Sequence, residues 1–107
     1  MGGLLRCLHL AEVAIESGIP LIIGAHVGET SVLTRAGITV SSACSQHVTS
    51  MEGAFGTYLL ESDIVNHSLQ FGAGGLLNCE DFLNNDHHGF QLEVCLPTGS
   101  VTQSFAL

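Results

Sequence analysis

The stretch that decides the fold is Pro20-Leu21-Ile22-Ile23-Gly24-Ala25-His26-Val27-Gly28-Glu29-Thr30-Ser31. Pro20 to Ile23 is a short unbroken apolar run of the kind found in strands covered on both faces, as in a parallel sheet. Gly24 to Gly28 reads as a tight loop, and Glu29, Thr30 and Ser31 bring the acidic and hydroxyl groups that open helices. A strand that passes through a short loop into a helix is the unit from which α/β sheets and barrels are built.

Upstream of this stretch, Leu4, Leu8, Ala11 and Ile15 recur at helical spacing with Cys7 and Ala14 beside them, while Arg6, His9, Glu12 and Glu16 fall largely on other faces. The spacing predicts a helix between Gly2 and Gly18, ended by Gly18 in a left-handed cap and by Pro20, which cannot continue it. Downstream, Val32, Ala36, Val40 and Ala43 predict a second helix. Thr34, Gly37, Ile38 and Thr39 are poor helix formers, so packing has to hold it.

Met51 to Leu60 predicts a short strand and a turn at Gly56, and Asp63 to Phe71 predicts irregular or hairpin structure leading into a turn at Gly72 to Gly75. Phe90 to Val94 alternates weakly before the tail from Thr98 to Leu107, and there is no internal repeat. Helix, strand, loop, helix and strand in that order give the α/β class. A parallel sheet needs more than two strands, with helices on both faces, before its apolar surface is covered. The chain therefore reads as a piece of a larger sheet or barrel.

At 107 residues the chain suits one small domain or part of a larger one, and 46% hydrophobic with 11% charged residues excludes a disordered tail. Ten acidic residues against Arg6 and Arg35 give a formal charge of −8. Such a chain repels phosphate backbones and anionic headgroups, which excludes nucleic acid and membrane surfaces as partners. No apolar run reaches the roughly 18 to 20 residues of a bilayer span. His9, Glu12 and Glu16 interrupt the N-terminal stretch where a signal peptide is continuously apolar, so the expected location is cytoplasmic. Cys7, Cys44, Cys79 and Cys95 are even in number, which leaves disulfides open, but they form no CxxC or Cys/His metal spacing. They read as small buried thiols in a reducing compartment.

Loops that follow the C-terminal ends of strands build the active sites of open α/β sheets and of β/α barrels. His26 or Glu29 facing a substrate, with the following helix offering free N–H groups to an anion, is one reading of the Gly24 to Ser31 loop. Glu29 as a helix cap and His26 in a structural hydrogen bond is the other, and spacing does not separate them. The glycines form GxxxG rather than GxGxxG, and no Lys follows the second glycine, which argues against a dinucleotide or phosphate loop. Adjacent His87 and His88 near Asp81 and Asp86 point to different sides of any regular element and read as a solvated loop. His47 and His67 are isolated and carry no assignment.

GGLLRCLHLAEVAIESGIPLIIGAHVGETSVLTRAG (2–37), MEGAFGTYLLESDIV (51–65) and FGAGG (71–75) together resemble the C-terminal end of the barrel domain in the mandelate racemase/muconate lactonizing enzyme branch of the enolase superfamily. That branch commonly shows a GG opening the helix after strand six, a strand-seven motif similar to GxxVGETS, and a segment similar to EGxxGxxLLxxDI around strand eight. The resemblance spans residues 1–78 and leaves 79–107 as a divergent C-terminal segment. It implies a partial (β/α)-barrel, the last strands and helices of a modified TIM barrel of (β/α)7β form. It also implies Mg²⁺-dependent removal of the proton α to a carboxylate, by an isomerase or lyase such as a racemase, cycloisomerase or dehydratase.

Carried over residue by residue, the resemblance places His26 at the end of strand seven as a candidate base. Glu52 falls at the end of strand eight as a protonated acid that donates to the substrate carboxylate. Glu29, with Gly28 beside it, matches the strand-seven glutamate as a loop-structuring or substrate-supporting residue. The family's metal carboxylates and lysine base belong to earlier strands, so the chain alone is expected to hold no metal, to be no competent catalyst, and to pair with a complementing barrel segment or with itself. A small α/β binding or assembly module without catalysis is the alternative.

Overall fold

The computed structural model describes residues 2–25, 29–53, 59–78 and 91–96. Its elements run α1 (Leu4–Glu16), β1 (Leu21–Ile23), α2 (Ser31–Ala43) and β2 (Val48–Met51), followed by a single 3-10 turn at Ala73–Gly75. The two strands pair in parallel with α2 as the crossover between them, which is the α/β class expected. Among the described residues the sheet has these two strands. No described helix is long and apolar enough to cross a membrane.

α1 ends as its sequence dictates. Gly18 adopts φ 71°, its amide donates to the Ile15 carbonyl at 2.9 Å, and the Ile19 amide donates to the Ala14 carbonyl at 2.9 Å. This pair of bonds is the Schellman arrangement, which turns the chain sharply and uses carbonyls the helix leaves open. The turn delivers Leu21 to the sheet, where its amide donates to the His47 carbonyl at 2.9 Å.

β2 begins at Val48, earlier than the Met51 to Leu60 stretch suggested. Its register pairs Leu21 with Val48, Ile22 with Ser50 and Ile23 with Met51, so Thr49 is an extra residue in the ladder. The Thr49 hydroxyl donates to the Leu21 carbonyl at 3.1 Å across this irregularity. Residues 54–58, which include the expected turn at Gly56, lie outside the described residues.

Two expectations about burial are corrected. β1 is not covered on both faces: Leu21 and Ile23 are half-buried toward α2, while Ile22 is 62% exposed. On α2 the buried stripe is not Val32, Ala36, Val40 and Ala43, of which only Val40 is buried. Ser31, Thr34, Arg35 and Ile38, spaced i, i+3, i+4, i+7, are buried instead. Three of these are polar, and a buried polar group is tolerated when it has a partner. Ser31 has Asp63 and Leu69, Thr34 has Glu29, and Arg35 Nη1 donates to Thr39 Oγ1 at 2.7 Å. No described side-chain polar atom is buried without a partner.

The segment after β2 returns to the start of α2 and buries Val65 and Leu69, which join Ala11, Ile38 and Val40 as the buried apolar residues among those described. Residues 91–96 pair with it. Val65 and Val94 form an antiparallel bridge, the Cys95 amide donates to the Ile64 carbonyl at 2.7 Å, and the Asn66 amide donates to the Glu93 carbonyl at 3.2 Å. Cys7, Cys44 and Cys95 are free thiols, none of them buried: Cys7 and Cys44 are partly exposed and Cys95 is exposed. Cys79, Asp81, Asp86, His87 and His88 lie outside the described residues, and His47 and His67 are exposed.

Candidate functional site

The parallel pairing sends the C-terminal ends of β1 and β2 to the same edge of the sheet, and the chain after each strand carries the candidate residues. After β1 come Gly24, Ala25 and, beyond residues 26–28, Glu29; after β2 come Glu52 and Gly53. His26 and Gly28 fall outside the described residues.

Glu52 is held by the sheet itself, because its amide donates to the Ile23 carbonyl at 2.7 Å. Its neighbour Met51 faces the helix side. A Cβ built on Gly37 of α2 would lie 3.5 Å from Met51 Cε, and one built on Gly53 would lie 3.2 Å from Ala25 Cβ. Alternation along an extended chain then directs Glu52 to the opposite face, shared with Ser50 and Ile22. Glu52 is exposed there.

Glu29 is on the helix side of the same edge. It is half-buried, its Oε1 accepts from the Thr34 hydroxyl at 3.2 Å, and the same oxygen lies 3.9 Å from the Cβ position of Gly53. A side chain at position 53 would crowd Ala25, so the glycine permits the two loops to close on each other. Both glutamates border an open cavity of about 510 Å³ between α1 and α2 along β1, with largely apolar walls that include Leu4, Leu21 and Val40. That volume falls in the range of small-ligand sites, roughly 300 to 1,000 Å³.

Glu29 does not cap α2, and neither does the side chain of Thr30 at the capping position. Asp63 does. Its Oδ2 accepts from the Ser31 amide at 3.0 Å and from the Ser31 hydroxyl at 2.5 Å, and its Oδ1 accepts from the Ile64 amide at 2.7 Å. The helix start that one of the two readings offered to an anion is therefore filled by the chain's own carboxylate. Local spacing could not reveal this, because Asp63 and Ser31 are 32 positions apart.

Comparison with protein-family models, with curated proteins and with solved structures finds no match for this chain.

The described lining of the cavity contains two carboxylates and no Lys, Arg or His. Mg²⁺ is the ion that the motif resemblance implies. Among the described residues no three His, Cys, Asp or Glu side chains converge on one point, so these residues do not by themselves fit a metal centre. What the arrangement offers is one exposed and one half-buried carboxyl group at the rim of the same cavity.

Proposed function

We propose that the chain is the C-terminal part of a cytoplasmic enzyme of the mandelate racemase/muconate lactonizing type. Such an enzyme removes the proton α to the carboxylate of a small-molecule substrate and is a racemase, cycloisomerase or dehydratase. In this reading β1 and β2 are the last two strands of a (β/α)7β barrel and the chain alone is inactive.

The observation that carries the reading is the placement of Glu52. Its amide continues the ladder one step past the C-terminal end of β2, the second of two adjacent parallel strands, and by alternation its side chain lies on the face opposite Met51. In β/α barrels the helices lie outside and the catalytic groups come from the C-terminal ends of the strands. In this reading Glu52 acts as a protonated acid whose O–H donates to the substrate carboxylate as charge builds up on it. His26, one step beyond Ala25 at the end of β1, is the base. Glu29 holds its loop through Thr34 rather than touching substrate.

A carboxylate substrate that becomes more negative as its α-proton leaves needs positive charge nearby. The described cavity lining offers none, so that charge comes from the rest of the barrel. No step here runs through a metal ion.

The pairing of residues 91–96 with 64–66 favours a second reading. It gives residues 91–96 a fixed place beside 64–66, as in a self-standing α/β binding or assembly module. Joining the chain to the upstream barrel segment of an enzyme of that branch separates the two. Deuterium from solvent should enter the α-carbon of the donor enzyme's substrate, at a rate above that of the upstream segment alone. A folded chimera that exchanges no α-proton would favour the module.

A further inference from the structure

Two contacts close the loop after β2 onto the loop after β1. One is the close approach at Gly53, where an added Cβ would lie 3.2 Å from Ala25 Cβ; the other is the Asp63 carboxylate on the amide and hydroxyl of Ser31. A single contact would leave the loops free to pivot about it, whereas two fix their relative placement. We propose that Asp63 is a positioning residue for the candidate site, setting Glu29 relative to Glu52 through the buried start of α2.

The chemistry at this point is closed on every side. Ser31 is fully buried, and its hydroxyl donates to Asp63 while accepting from the Leu69 amide at 2.7 Å. A hydroxyl that donates to one fixed partner and accepts from another has its orientation set. α2 has no acidic residue in its first turn and no capping side chain at Thr30, so Asp63 brings the negative charge that the helix start favours. Ser31 follows Glu29 by two positions, and Thr34, which donates to Glu29, lies one turn further along the same buried stripe. A shift of the helix start is thereby a shift of the Glu29 carboxylate, whose Oε1 lies 3.9 Å from the Cβ position of Gly53, the neighbour of Glu52.

The role assigned to Asp63 rests on reading Glu29 and Glu52 as site residues, while the tether itself is independent of what the site does. In the full chain labelled with ¹³C at the glutamate carboxyls, Asp63→Ala and Ser31→Ala should each move the Glu29 and Glu52 resonances. The double variant should move them no further, because both changes cut the same link. Asp63→Asn keeps one acceptor oxygen for the Ser31 amide and should restore part of the shift. Ile38→Val, a core trim elsewhere on α2, should leave both resonances in place although it lowers stability. Unmoved resonances in Asp63→Ala, equal movement in Ile38→Val, or additive effects of the two single changes would overturn the proposal.

Should the alanine variants not fold, amide exchange in the unaltered chain decides: the Ser31 and Leu69 amides should be protected, and exchange of both at the rate of open loops would overturn it. Failure of the chimera to exchange an α-proton, with the resonances moving as stated, would remove the enzymatic reading and keep the tether.

Discussion

The backbone amide of Glu52 donates to the carbonyl of Ile23 at 2.7 Å, carrying the parallel ladder one step beyond the last residue of β2. The candidate acid is therefore positioned by the sheet and not by a loop, with Met51 before it turned toward α2. The same relationship leaves Ile22 and Ser50, both exposed, on the face with Glu52.

An open face and an open edge have a cost in solution. Ile22 is 62% exposed and Ile19 57% exposed beside a strand that pairs on one side with β2. Unpaired edges and apolar faces associate, and a lysine at such a place opposes pairing. The chain should self-associate in sedimentation velocity, and Ile22→Lys should shift it toward monomer with unchanged helical circular dichroism. A monomeric chain before any substitution would show that the edge is already covered.

Gly37 gives a test of how α2 sits on the sheet. An added Cβ would lie 3.4 Å from Ile23 Cγ2 and 3.5 Å from Met51 Cε, which is ordinary contact. Alanine also has the better helix propensity by about 1 kcal/mol. Gly37→Ala should raise stability in urea denaturation by up to about 1 kcal/mol. Gly37→Leu overfills the same space and should lower stability by about 1 to 3 kcal/mol. A loss on Gly37→Ala would mean that helix and strands approach more closely than described.

At Gly18 the cost of a side chain is conformational alone. Its φ is +71° and nothing lies within 4 Å of an added Cβ. Gly18→Ala should destabilise the chain by about 1 kcal/mol, and Gly18→Asn by less, since asparagine tolerates the left-handed region. Equal losses for the two variants would point to packing at this turn instead.

α1 and the start of β1 were legible because their signals are local: apolar residues at helical spacing, then Gly18 and Pro20. The buried face of α2 was not. Ser31, Thr34 and Arg35 look like a solvent face, and only partners brought by folding, above all Asp63 at a separation of 32 residues, make their burial tolerable. β2 was placed late because Thr49 is an extra residue in the ladder and breaks the alternation by which a strand is read. Glu29 and Glu52 could be set at the ends of neighbouring strands from order alone. The direction of Glu52 relative to α2 follows from Met51 packing toward that helix, which no spacing rule contains.

Titration of the chain with Mg²⁺ should give weak heats without defined stoichiometry. A hard divalent ion needs about six converging oxygen ligands, and among the described residues no three acidic, histidine or cysteine side chains meet. A one-to-one site of micromolar affinity in calorimetry would contradict this.

The placement of Glu52 is tested most directly by comparing carboxyl-to-amide variants in the chimera with an upstream barrel segment. Glu52→Gln should lower turnover about 10²- to 10³-fold with the fold intact, because an amide still donates a hydrogen bond but cannot share a proton with the developing enediolate. Glu29→Gln should lower it far less, because an amide oxygen still accepts from Thr34. His26→Asn should abolish α-proton exchange for one enantiomer of the substrate and spare the other. Equal and small losses for Glu52→Gln and Glu29→Gln would contradict the assignment of Glu52 as the acid of the site.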